Sequence, residues 1–156
     1  IMPSLVGSEM CIRDRDRLDR MARIISQGLS GLPQGNEPTH GDFHEGQIHV
    51  WNGQVCGILD VDTIGPGRRA DDLACLVAHL STVQHMNSSQ ADRMRQILAG
   101  WVPVFDTRVD PVELRLRSAA VAISLATGPY RSQEANWGAE TLSLIDAAEA
   151  LINQVA

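Results

Sequence analysis

A chain of 156 residues with 44% hydrophobic content is sized for one domain around one packed core. Its formal charge of -6, with the arginines dispersed, excludes the basic footprint that nucleic acid requires. The longest apolar run, Ala119 to Ala126, is interrupted by Ser124 and far too short to span a membrane; with no signal-peptide pattern either, a soluble, cytoplasmic protein is expected. All 13 basic residues are arginine, so this chain alone cannot complete a mechanism that needs a lysine ammonium. Cys11, Cys56 and Cys75 show no CxxC spacing and support neither a disulfide framework nor a zinc ribbon; ordinary buried thiols are expected.

The opening "IMPSLVGSEMCIRDR" has neither helical nor strand periodicity and looks like translated library-adapter sequence, so residues 1–15 are set aside as a leader. From Asp16 the apolar residues Leu18, Met21, Ala22, Ile25 and Leu29 recur at steps of three and four, which predicts an amphipathic helix ending near Gly31 and Pro33. "PQGNEP" is then expected to be a loop. Two apolar-rich runs flank Asn52-Gly53, the strongest short hairpin signal, because a type I′ turn needs positive φ at both central residues. Leu73, Leu76, Val77 and Leu80 follow Asp71 and Asp72 at helical spacing, and another helix is expected from about Ser89 through Trp101, with Pro103 near its end. Asp110, Pro111 and Glu113 form a helix start of the cap, first-turn proline and reach-back glutamate type. The helix they open is apolar nearly all round as far as Gly128 and Pro129 and is expected to be the most buried; a last helix covers roughly Glu134 to Gln154.

The stretch from Thr39 to Gly67, "THGDFHEGQIHVWNGQVCGILDVDTIGPG", gathers His40, Asp42, His44, His49, Asp60 and Asp62. Its hairpin turns the chain back on itself, so the loop bearing Asp42 and Gln47 must lie near Asp60. A loop carboxylate, a loop amide and a carboxylate across a hairpin suit a hard cation beside a general base. A different chemistry stays open, since His40, Asp42 and His44 alternate along one edge and suit a transition metal for hydrolysis. That reading lacks a downstream partner cluster, because His79 and His85 fall on a predicted helix and its end with no carboxylate beside them in sequence. A non-catalytic helical binding module is the third reading.

"HGDFHEGQ", then "ILDVD", then "RADDLA" resembles the aminoglycoside phosphotransferase and choline kinase-like family of small-molecule kinases, whose pattern is HGDxHxxN, a strand ending IDxD, and a later DLA. The resemblance covers about Asp16 to Ala156. It implies a mainly α fold with a small β-hairpin, the C-terminal helical lobe of a protein-kinase-like enzyme whose nucleotide lobe, with its lysine, is missing from this chain, leaving the lobe inactive in isolation. It implies ATP as co-substrate, Mg2+ as cofactor and a small-molecule hydroxyl as acceptor, whether aminoglycoside, sugar or amino alcohol. Asp42 matches the carboxylate that takes the hydroxyl proton, and His40 the residue that braces its loop. Asp60 matches the magnesium ligand that serves the nucleotide. Gln47 stands where the family usually has a metal-binding asparagine, a departure that adds one methylene. Asp62 either contacts metal or fixes the following turn, and Asp72 matches a position that tethers the catalytic loop from below. His44 either touches substrate or caps its loop; Arg131, in "TGPYR", lies on the substrate side of such folds, though a helix stop explains Gly128 and Pro129 equally well. His49 reads as half-exposed strand surface.

Overall fold

Met21 and Ile25 give the first helix its buried stripe, and in the computed structural model that helix, α1, spans Ser4–Leu29. The structure describes residues 4–83 and 88–155, with side chains described over 14–82 and 90–155. The helix begins twelve residues before the Asp16 start that periodicity predicts (Ser4 against Asp16). Once a helix is nucleated and packed, extending it costs only propagation, so a stretch without an apolar stripe can still be helical. Cys11 and His85 lie outside the residues whose side chains are described.

Five further helices follow: α2 (Arg69–Val83), α3 (Ser88–Phe105), α4 (Pro111–Leu125), the single turn α5 (Gly128–Arg131) and α6 (Trp137–Ile152). Asp110 caps α4 by accepting from the Glu113 N–H at 2.8 Å, with Pro111 in the first turn, as the sequence predicts. Leu116, Ala119, Ala122 and Ala126 on one side of the α4 region meet Met21 and Ile25 of α1, Val77 and Ala78 of α2, and Ile145, Ala148, Leu151 and Ile152 of α6. Two expectations need correcting. Although α4 packs against three helices, α2 is the more buried, with eight residues from Ala70 to Ser81 withdrawn from solvent against six on α4. Small alanines let neighbouring helices close over α2, whereas α4 keeps arginines on its rim. Pro129 opens α5 rather than ending α4, because a proline that cannot continue a helix is well placed in the first turn of the next.

The fold is mainly α, with two small antiparallel pairs where the sequence predicts a single hairpin. The hairpin is β2 (Ile48–Trp51) with β3 (Gln54–Ile58), and Asn52 and Gly53 adopt φ of 50° and 75°, the type I′ requirement. The second pair joins β1 (Glu37–Thr39) to β4 (Gly65–Gly67). Part of the predicted loop "PQGNEP" is therefore strand. Three-residue strands rich in glycine and proline carry no alternating pattern, and only a long-range partner makes them strands. This pair fixes the entrance to the acidic segment against its exit.

Candidate active site

Ladder hydrogen bonding brings the two polar ends of the hairpin together. Ile48 pairs with Ile58, and the ladder extends one step outward as the Leu59 N–H donates to the Gln47 carbonyl at 2.8 Å. Asp60 follows at once, in a left-handed backbone conformation (φ 53°, ψ 54°) that aspartate tolerates better than most residues. Its carboxylate Oδ2 lies 3.4 Å from the Gln47 side-chain nitrogen. Asp62 sits two residues on, exposed in a short 3₁₀ turn (Val61–Thr63).

The loop carrying Asp42 is held from three sides. Asp72 of α2 accepts from the His40 N–H at 2.8 Å through Oδ2 and from the Gly41 N–H at 3.0 Å through Oδ1. The Thr63 hydroxyl donates to the His40 carbonyl at 2.6 Å. His40 is itself buried, and its ring is fully committed: Nδ1 accepts from the Asp42 N–H at 3.3 Å, so Nε2 carries the proton and donates to the Leu59 carbonyl at 2.8 Å. One imidazole thus links the backbone of Asp42 to the residue that precedes Asp60. Gly41 sits at φ 87°, and a Cβ there would come within 2.9 Å of the Thr63 carbonyl oxygen, so a side chain at this position meets both strain and a clash.

Asp42 opens onto a cavity of about 600 Å³, lined also by Gly41, Thr63, Cys75, His79 and Arg117. Helix α2 follows the loop residue by residue along one face. Asp72 holds His40 and Gly41, the Cys75 Sγ lies 3.7 Å from Asp42 Oδ1, and His79 stacks on His44 with ring centroids 4.3 Å apart and planes 9° from parallel. Burial, followed by the charge of Asp42, pushes the Cys75 thiol up to about 12, so it stays protonated at neutral pH. Burial, and then the neighbouring His44, lowers the pKa of His79 and favours its neutral ring. Sequence alone sets both side chains aside, Cys75 as an ordinary buried thiol and His79 as a helix histidine without a carboxylate beside it. His79 does have carboxylates beside it, those of Asp42 and Glu45, but they arrive from the loop and not along the helix. The spacing Asp72, Cys75, His79 along one helical face was the available signal.

Below the cavity, Glu113, 4% exposed, receives both Arg68 Nε (2.5 Å) and Arg68 Nη2 (2.6 Å) on its two oxygens, with Arg117 Nε at 2.8 Å. Arg117 also pairs with Asp71, whose Oδ2 accepts from the Arg68 N–H at 2.9 Å. The Arg68 guanidinium, ahead of every other influence, holds the Glu113 carboxyl below its ordinary range. The network fastens the β4–α2 junction to α4. Of the remaining sequence candidates, His49 is exposed on β2, and Arg131 is exposed on α5 and does not line the cavity beside Asp42.

Residues 11–103, which contain the whole acidic segment and α2, match the family described as "APH: Phosphotransferase enzyme family". The chain belongs to that family. Comparison with curated proteins and with solved structures gave no match. As a member of the phosphotransferase enzyme family the chain is read as a transferase, and among the described residues no helix is long and apolar enough to cross a membrane.

Proposed function

We propose that this site serves transfer of the γ-phosphoryl group of ATP to a hydroxyl of a small molecule, with Asp42 as base and Asp60 and Gln47 as magnesium ligands. The supporting observation is the closure of Gln47 on Asp60 across the hairpin, beside a loop that presents Asp42 to a cavity of small-molecule size.

The donor set fits a hard cation. His44 Nδ1 accepts from the Gly46 N–H at 3.2 Å, so a neutral His44 carries its proton on Nε2, which faces the Gln47 amide at 3.1 Å. A donor belongs opposite an acceptor, and the two ends of a glutamine amide exchange by a half-turn. With Oε1 turned toward His44, the same oxygen stands about where Nε2 lies, near Asp60 Oδ2. Two oxygens at that spacing repel unless a cation joins them, and neighbouring oxygens around magnesium stand roughly 3 Å apart. The extra methylene of Gln47 thus reaches the site, and bound magnesium would neutralise charge developing on the transferred phosphoryl group.

Asp42 takes the proton of the acceptor hydroxyl as its oxygen forms the new bond to the γ-phosphorus and the bond to the β–γ bridging oxygen breaks, releasing ADP. His40 and Asp72 keep the loop in place while this happens, and Asp42 needs no rearrangement to face the cavity. His40 has no free ring nitrogen, so the trio His40, Asp42 and His44 does not form a hydrolase-type metal set. The chain supplies no lysine, and we propose that the groups holding the α- and β-phosphates come from a nucleotide lobe outside it, without which this lobe does not turn over.

In a protein that joins this chain to such a lobe, Asp42→Asn should lower kcat by about two orders of magnitude or more with little change in Mg-ATP affinity, because a positioned base acts on the chemical step. Transfer from γ-labelled ATP to a panel of aminoglycosides, sugars and amino alcohols measures it. Undiminished kcat in Asp42→Asn would remove Asp42 from the role of base.

A further inference from the structure

We infer that Asp42, Cys75 and His79 form a second cation site, for a zinc-class divalent ion, distinct from the oxygen-lined magnesium position at Asp60 and Gln47. One ligand atom from each of the three lies within 4.8 Å of the others. Cys75 and His79 stand four residues apart on α2, so they project from the same face of the helix, and the loop brings Asp42 over them. The Cys75 Sγ to Asp42 Oδ1 separation of 3.7 Å is close to the about 3.5 Å that sulfur and oxygen adopt across a tetrahedral zinc. All three residues line the cavity beside the loop, which gives an ion a way in and leaves its fourth position to water. Stacking against His44 fixes the plane of the His79 ring, and the Glu45 carboxylate lies close enough to His79 to add a further oxygen donor.

The ligand types decide the ion. Thiolate and imidazole favour zinc over magnesium, whereas the amide and carboxylate at Gln47 and Asp60 favour the reverse. Binding releases the Cys75 thiol proton to solvent and forms the metal–sulfur bond. The consequence rests on the proposed role of Asp42: an ion held here ties up the carboxylate that the acceptor hydroxyl needs, so zinc would inhibit transfer. Binding itself does not depend on that reading.

Zinc affinity of the chain, measured by competition with a chromophoric chelator, and the near-ultraviolet thiolate-to-cobalt charge-transfer band of the Co2+-loaded chain test the site. We expect one equivalent bound and a thiolate band in the wild-type chain. Cys75→Ser should lose the band and bind zinc at least tenfold more weakly, though Cys11 and Cys56 remain. His79→Gln should weaken zinc about as much and keep the band, with far-ultraviolet circular dichroism confirming that both variants are folded. Absence of the band in the wild-type chain, its survival in Cys75→Ser, or unchanged zinc affinity in folded His79→Gln would each overturn the site. Manganese binding at Asp60, unaffected by Cys75→Ser, separates this outcome from failure of the phosphotransferase reading.

Discussion

At the scale of single residues, the loop around Asp42 is held by defined partners for the His40 and Gly41 N–H groups, the His40 carbonyl and both nitrogens of the His40 ring. Asp72 is the firmest of these, a carboxylate spanning two consecutive backbone N–H groups. Asp72→Asn leaves one oxygen acceptor for two donors and turns an amide NH2 toward the other, at a cost of about 1–3 kcal/mol to the local structure. Hydrogen exchange at the His40 and Gly41 amides should speed up accordingly, and unchanged protection would show that Asp72 does not tether the loop. The positions of Asp42, Gln47 and Asp60 are legible in sequence from motif order, with Gln47 in place of the usual asparagine; what sequence does not give is the 3.4 Å approach of Gln47 to Asp60. Cys75 and His79 were not legible, because what gives them meaning is Asp42 and His44, more than thirty residues away along the chain.

At the scale of elements, the hairpin acts as a clamp on the site and contributes little to the core. Val50, Trp51 and Val55 are exposed, Trp51 by 69%, so the strands are held by backbone pairing and by the turn. No atom lies within 4 Å of where a Gly53 Cβ would be, which makes any penalty at that position purely conformational. Gly53→Val should therefore cost roughly 1–2 kcal/mol through its positive φ alone. The expected result is faster exchange of the Leu59 amide, which closes Gln47 against Asp60, with the helical circular dichroism of the bundle unchanged. Retained Leu59 protection would mean that the turn does not control the site. The Asn-Gly turn announces this hairpin by itself, whereas β1 and β4 owe their pairing to the return of the chain, and the early start of α1 to extension of a packed helix; local sequence carries neither cause.

For the whole molecule, the decisive joint is Glu113, where α4 meets the β4–α2 junction through Arg68 and Arg117. Its carboxyl is held below the ordinary range in the folded chain and returns to it on unfolding, so the unfolded chain binds the extra proton. The stabilisation is full above the ordinary carboxylate range and is lost as pH falls through the lowered value. Glu113→Gln should lower the melting temperature at neutral pH and flatten its decline on acidification, read from thermal melts across the acid range. An acid slope equal to wild type would place the loss elsewhere.

A hard-cation site built by Asp60 and Gln47 is the centre of the proposed function, and manganese, as a paramagnetic stand-in for magnesium, reports on it directly in this chain. Titration followed by water proton relaxation should show one site in the wild-type chain, lost in Asp60→Asn and weakened in Gln47→Ala, with Gln47→Asn between wild type and Gln47→Ala because its amide keeps the oxygen but falls short. Manganese bound equally well by wild type, Asp60→Asn and Gln47→Ala would contradict the assignment.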